Sequence, residues 1–263
     1  MKKKGILFLA TVLFLLPSLA NDSLINAQVS SSIKGIVFHD KNENGIYDSG
    51  DKPLKDIAVS NGRDVVTTNK KGEYALPLRD NAATFVIKPR NWSIPVDENQ
   101  IPRFYYMHST AGVTGTKYDG LAPTGNLPES VDFPLLPSKE PDKIKALIFG
   151  DTQPRNNQEI YFMSKDVIPE LIDSDADFGV TLGDIVFDDL SIYDHLIESL
   201  SPIGIPMWYV AGNHDFDYTG SNSVDARGTW YNTFGPSWYS FSHGPAHFIV
   251  LDNIRWVVED DKR

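Results

Sequence analysis

Apolar and polar residues follow two different rhythms along this chain. Between Ile33 and about Trp92, short runs rich in β-branched and aromatic residues alternate with turn signals. The runs are Lys34–His39, Ile57–Ser60, Val65–Thr68, Glu73–Leu78 and Thr84–Lys88, and Asn61-Gly62 and Lys71-Gly72 supply tight turns. This pattern predicts a small β-sandwich over residues 31–92. Residues 93–142 are rich in Pro and Gly yet carry Phe104, Tyr105 and Tyr106, which a free linker would not bury, so they read as an ordered connector. From Lys143 the rhythm changes. A strand at Lys145–Phe149 precedes a helical face of Ile160, Met163, Val167, Ile168 and Leu171, which Pro169 should kink or restart. A strand at Phe178–Leu182, a helix around Ile192–Leu200 and a strand at Met207–Val210 follow. Strand–helix alternation of this kind predicts the parallel crossovers of an α/β domain over residues 143–263.

Residues 1–20 stand outside both rhythms. Lys2, Lys3 and Lys4 lead into the apolar stretch Gly5–Leu16, too short for a comfortable membrane span, and Ser18-Leu19-Ala20 offers small residues for cleavage. The segment reads as a signal peptide and the protein as secreted or periplasmic, with no membrane span after signal removal. The 263 residues carry a formal net charge of -11 and no cysteine. Removing three lysines with the signal gives -11 - 3 = -14. That charge excludes broad binding to nucleic acid or acidic membrane. Lack of cysteine excludes a disulfide scaffold and a thiolate zinc site.

The segment from Asp40 to Asp51 has oxygen-bearing side chains at loop positions 1, 3, 5, 9 and 12, namely Asp40, Asn42, Asn44, Asp48 and Asp51, with Gly45 at the sixth position. This register suits a hard cation, with the carbonyl of Ile46 as the backbone ligand, and points to structural Ca. The last position is Asp rather than Glu, and neither flank reads as helical. The segment resembles secreted B-type repeat sandwiches, in which such a loop follows a Gly-x-Val-Phe-x-Asp strand, here Gly35–Asp40. An acidic solvated turn is the alternative reading.

Each strand of the second part ends in a polar cluster: Gly150-Asp151-Thr152-Gln153, Gly183-Asp184 and Gly212-Asn213-His214-Asp215. Asp151 and Asp184 are 33 residues apart, Asp184 and Asn213 29 apart, each about one βαβ unit. Parallel strands end on one side, so the clusters converge at the C-terminal edge of a sheet, where open α/β folds bind ligands. Converging carboxylates call for a cation between them.

These motifs resemble the calcineurin-like metallophosphoesterases, which carry Asp-x-His, Gly-Asp and Gly-Asn-His-Asp/Glu after successive strands. More narrowly, the chain resembles secreted bacterial members with an N-terminal β-sandwich. The fold implied is an N-terminal β-sandwich followed by an incomplete α/β metallophosphoesterase domain of the α/β/β/α sandwich type. The resemblance implies a hydrolase that cleaves phosphate mono- or diesters, on a phosphorylated small molecule or polymer, by a metal-bridging hydroxide held between two divalent transition metals (Mn, Fe or Zn). It implies Asp151 on the first metal, Asp184 bridging both, Asn213 on the second through its amide oxygen, and His214 as the catalytic residue at the phosphoryl oxygen or leaving group.

Two departures qualify the resemblance. Gln153 stands where the family has His, so a harder, weaker oxygen replaces an imidazole at the first metal. The later family motifs, a lone His and Gly-His-x-His, have no counterpart after Asp215. Asp151, Gln153, Asp184 and Asn213 supply two formal negative charges and five contacts, with Asp184 counted twice, too few for two divalent ions. The chain is therefore expected to be a fragment of a longer protein and poorly active. The competing function is a non-catalytic, calcium-stabilised extracellular module with a degenerate phosphoesterase half. A nucleotide-binding α/β protein is disfavoured, because no Gly-rich phosphate loop follows any strand. Asp188 and Asp189 read as helix caps. His195 reads as a surface or packing residue, and His39 and His108 as structural. His243 and His247 fit a β segment, and Asp215 a prop for the Asn213-His214 turn. Trp208, Tyr209, Trp230, Trp238 and Tyr239 read as core. Asp217 and Tyr218 could reach substrate.

Overall fold

The computed structural model describes residues 31–254, so the expected signal peptide lies outside the described residues. The N-terminal part contains β1 (Ser32–His39), β2 (Lys52–Pro53), β3 (Ala58–Ser60), β4 (Val65–Thr67), β5 (Glu73–Pro77), β6 (Ala82–Val86), β7 (Trp92–Ser93), β8 (Tyr105–His108) and β9 (Phe133–Pro137). In one sheet β1 is the spine. It pairs antiparallel with β5 and β2 and parallel with β9, which in turn pairs with β7. The other sheet runs β4-β3-β6-β8, all antiparallel. Alternation does what the sequence implies in β5, where Tyr74 and Leu76 are buried and their neighbours exposed. Gly35 is required by close approach, since a Cβ there would lie 1.7 Å from the Val131 carbonyl oxygen.

The connector is more than packing. Its residues supply β8 and β9, which complete the two N-terminal sheets. It also sends Phe104 into the C-terminal part, against Trp208 (5.2 Å between ring centroids) and Tyr239 (5.0 Å).

The C-terminal part runs β10 (Ala146–Phe149), α1 (Asn157–Asp166), β11 (Phe178–Leu182), α2 (Tyr193–Leu200), β12 (Met207–Val210), α3 (Ser223–Ala226), α4 (Gly228–Thr233), β13 (Tyr239–His243) and β14 (Ala246–Val250). Strands β10, β11 and β12 form a parallel sheet in that order, and β13 and β14 form an antiparallel hairpin. Asn156 caps α1 by accepting the N–H groups of Gln158 and Glu159. The helix stops at Asp166, and Pro169 sits in the short 3-10 turn that follows. Ile160 and Ile168 are consequently buried, whereas Val167, expected on the same face, points outward. Trp208 of β12 stacks on Phe241 of β13 at 4.0 Å and 2°, joining hairpin to sheet. The two parts share one apolar core. The buried Lys88–Glu140 ion pair belongs to the N-terminal side and ties it to the hairpin: Lys88 donates to the Ser242 carbonyl at 2.7 Å and Glu140 accepts the Gly244 N–H at 2.8 Å.

Candidate functional site

Strand register decides which side chains share an edge. Phe149, Thr181 and Tyr209 lie side by side across β10, β11 and β12. Asp151, Asp184 and Asn213 follow those residues by two, three and four positions, so all three emerge from the same end of the sheet. Tight turns place them there. Gly183 has φ 84°, and Asp151, Gln153, Asp184 and Asp188 all hold positive φ, between 41° and 60°. Non-glycine residues in this region cost energy that the surrounding fold must offset, and such residues gather at functional sites.

Asp184 is the hub. Its Oδ2 accepts the Gln153 side-chain amide at 2.8 Å, its Oδ1 accepts the His214 backbone N–H at 3.0 Å, and its carbonyl accepts the Gln153 N–H at 3.0 Å. All three strand-end clusters are thus tied to one carboxylate. A Cβ on Gly212 would sit 2.0 Å from both the Asp184 Oδ1 and its backbone nitrogen, so only glycine lets the third turn approach the second. The Gln153 amide meets Asp184 through its nitrogen, and both Asp184 carboxylate oxygens accept protein N–H groups.

His214 is held on two sides. Its Nδ1 lies 2.7 Å from Asp188 Oδ1, and Phe187 stacks on its ring at 4.6 Å. The Arg155 guanidinium covers the Phe187 ring in turn, at 5.3 Å. The expectation that Asp188 and Asp189 both cap a helix holds for only one of them. Asp189 caps the turn Leu190–Ile192 by accepting the Ser191 N–H, while Asp188, turned by its positive φ, reaches His214 instead. The sequence reading gave both neighbours the same role because it lacks the backbone reversal that separates them.

Asp215 props the turn from below. It is fully buried, and its carboxylate accepts the N–H groups of Gly212 (2.7 Å) and Ile185 (2.9 Å) and the hydroxyl of Tyr193 (3.1 Å). Burial pushes its pKa up to about 7 even against those donors.

The connector reaches the same rim. Tyr118 donates its hydroxyl to the Asp188 carbonyl at 2.9 Å and its N–H to Asp217 Oδ2 at 2.9 Å, and the Lys117 N–H binds the Thr219 hydroxyl at 2.8 Å. Burial opposes ionisation of Asp217, but the Thr219 hydroxyl and the N–H groups of Tyr118 and Thr219 hold its carboxyl below the ordinary value. Tyr218 donates to the Asn213 carbonyl at 2.6 Å. Asp217 and Tyr218 therefore organise the rim, with Asp217 itself buried. Periodicity carried no signal for Lys117 and Tyr118, because nothing local joins residue 118 to residue 188.

Among the described residues no group of three or more His, Cys, Asp or Glu side chains is arranged to hold a metal ion. Asp151, Gln153, Asp184 and Asn213 alone offer too few donors for a two-ion centre. In the Asp40 loop, Asp40 accepts the N–H groups of Asn44 and Gly45, Asn42 and Asn44 donate to Asp48, and Asp51 accepts from Lys41 and Asp48. The Ile46 N–H closes on Asn44 Oδ1, and Gly45 takes φ 75°. The remaining histidines lie elsewhere. His195 is exposed against Asn157, His108 is buried beside Thr124, His39 packs on Trp92, and His247 bonds Ser242. Trp208, Tyr209, Trp230 and Tyr239 are core as expected, whereas Trp238 is partly exposed.

Two family models match successive stretches: the N-terminal domain of calcineurin-like phosphoesterase over residues 41–119, and calcineurin-like phosphoesterase over residues 144–257. The chain belongs to the calcineurin-like phosphoesterases. The second match contains all three strand-end clusters, and the first contains the Lys117–Tyr118 segment that meets them. No curated protein matches the chain. Among solved structures, it is similar to the purple acid phosphatase PPD1 isolated from yellow lupin (Lupinus luteus) seeds, at 14% identity and a TM-score of 0.32, over 73% of this chain and 38% of that one. The chain thus spans well under half the length of that structure.

Proposed function

We propose that this chain carries the first half of a secreted metal-dependent phosphoesterase site, for phosphate mono- or diesters, and has low activity alone because its described residues supply only part of the metal donors. The observation that carries this is the Asp184 hub, which ties the Gln153 and His214 turns to one carboxylate at the strand ends. Asp151, Gln153, Asp184 and Asn213 are the donors in this reading, and the missing ones come from outside the described residues, as do the strands that complete an α/β/β/α layering. Two divalent ions, when bound in such a family site, activate water and neutralise phosphoryl charge.

The part played by His214 follows from its own contacts. With Nδ1 committed to Asp188, Nε2 is the ring nitrogen presented to a leaving group, where it holds or donates a proton. Phe187 fixes the ring plane, and the connector steadies Asp188 through Tyr118. The N-terminal part then belongs to the site rather than standing apart as a module. The loop from Asp40 to Asp51 is proposed as a structural calcium site, since its donors already face one turn.

Metal analysis together with hydrolysis of p-nitrophenyl phosphate tests this reading. Fewer than two equivalents of Mn, Fe or Zn, with weak turnover that Asp184→Asn removes, supports it. Metal confined to the Asp40 loop with no turnover favours the non-catalytic module instead.

A further inference from the structure

The chain holds two Asn-Gly pairs, Asn44-Gly45 and Asn61-Gly62, and the fold places them in opposite settings. Glycine after asparagine leaves the next backbone nitrogen open to the asparagine's own side chain, because no Cβ screens it. We propose that Asn44 is a site of spontaneous deamidation, which alters the Asp40–Asp51 loop, and that folding protects Asn61 from the same reaction.

The reaction needs only water. The Gly45 nitrogen attacks Asn44 Cγ and gives its proton to solvent, the Cγ–Nδ2 bond breaks, and ammonia leaves, so a succinimide joins the two residues. Water then opens the ring. Cleavage between Cγ and the Gly45 nitrogen gives aspartate. Cleavage between the Asn44 carbonyl carbon and that nitrogen gives isoaspartate, whose main chain runs through the side chain. Closure therefore demands that Cγ swing onto the glycine nitrogen, that nothing crowd the glycine, and that solvent reach both.

Asn44 meets these demands. Asn44 and Gly45 are exposed, and a Cβ built on Gly45 would meet nothing within 4 Å. The Asn44 side chain bonds only within its own loop, where water competes: Oδ1 accepts the Ile46 N–H at 2.8 Å and Nδ2 donates to Asp48 at 2.8 Å. The Gly45 N–H donates to Asp40 Oδ2 at 2.7 Å, so a carboxylate already draws on the proton that the nitrogen must lose. Asn61 fails each demand. It is 1% exposed, its Nδ2 donates to the Pro77 carbonyl at 2.9 Å, and its Oδ1 accepts the N–H groups of Arg63 (3.1 Å) and Asp64 (2.8 Å). The Gly62 N–H is held by the Ser60 hydroxyl at 3.0 Å, and a Cβ on Gly62 would lie 2.8 Å from Trp238 Nε1. Only local unfolding would free Asn61 to react.

Deamidation gives the loop a fourth carboxylate beside Asp40, Asp48 and Asp51, or one extra main-chain carbon in the isoaspartate product. A calcium ion in the loop would hold Asn44 Oδ1 and Asp40 and slow the reaction. That protection rests on the calcium reading proposed above, whereas the reactivity of Asn44 does not.

Incubation of the full chain at mildly alkaline pH, with chelator, with calcium and in concentrated urea, followed by tryptic mapping and tandem mass spectrometry, tests this. Cleavage after Lys41, Lys55 and Arg63 puts the two sites on separate peptides. The proposal requires Asn44 to convert about tenfold or more faster than Asn61 in the folded, chelated chain, and the two to convert at comparable rates in urea. Gly45→Ala should suppress conversion at Asn44 and leave Asn61 unchanged. An Asn44 that stays intact, or equal rates at the two sites in the folded chain, would overturn the proposal. Fast conversion at Asn44 that calcium does not slow would uphold the site and refute the calcium reading instead.

Discussion

Replacing Glu140 by alanine should destabilise this protein out of proportion to the atoms removed. The Glu140 side chain is 1% exposed and that of Lys88 8%, so neither charge can turn to water when its partner is lost. Lys88 would keep the Ser242 carbonyl, but its ammonium would have no counter-charge, and the Gly244 N–H would lose its acceptor. Breaking a buried pair in this way costs about 3–5 kcal/mol, several times what an exposed pair contributes. For a chain of this size each kcal/mol moves Tm by about 2–4 °C, so the melt should fall by about 6–20 °C. The double variant Lys88→Met, Glu140→Leu removes both charges and should recover most of the loss. Urea unfolding followed by tryptophan fluorescence, with m-values compared, is the assay. A single-variant cost below about 1 kcal/mol, or a double variant as unstable as the summed singles, would refute the reasoning.

The same pair sets an acid limit. Burial opposes ionisation of Glu140, but Lys88 and the N–H groups of Asn91 and Gly244 outweigh it and hold the carboxyl below the ordinary glutamate value of 4.5. A depressed folded pKa means its stabilisation is fully present above 4.5 and is lost as pH falls through the folded value, so acid melts should separate wild type from the double variant only below that point. Gly212→Ala should distort the Asp184 hub and abolish metal retention there, since the new Cβ meets Asp184 at 2.0 Å; a variant that retains metal normally would mean the turns are less tightly nested. Chelation should lower Tm through the Asp40 loop, and Asp48→Ala should remove that response; a melt indifferent to chelator would mark the loop as a solvated turn. Tyr118→Phe should cost about 0.5–1.5 kcal/mol and speed amide exchange around Asp188, and unchanged exchange there would count against the connector steadying the site.

Local signals carried the sequence a long way in this chain. The strands Phe178–Leu182 and Met207–Val210 occur with the bounds that periodicity implies, because buried parallel strands are continuous apolar runs ended by glycine turns. The strand-end motifs were equally plain, since chemistry and turn geometry are written in the same few residues. What escaped was non-local. Strand β9 pairs with β1 across about a hundred residues, and its prolines disguise it as linker. Tyr118 meets Asp188 and Lys88 meets Glu140 only after the chain has folded back on itself, and no periodicity encodes either contact. Neighbouring Asp188 and Asp189 differ in role because one backbone angle is positive, which composition does not announce.

The central claim is that Asp184 gathers an incomplete set of metal donors at the rim of the β10–β11–β12 sheet. Calorimetric titration of the calcium-saturated chain with Mn²⁺, alongside Asp184→Asn, tests it most directly. The account predicts fewer than two equivalents for the wild type and none for the variant. Two tightly bound equivalents, or identical isotherms for the two proteins, would contradict it.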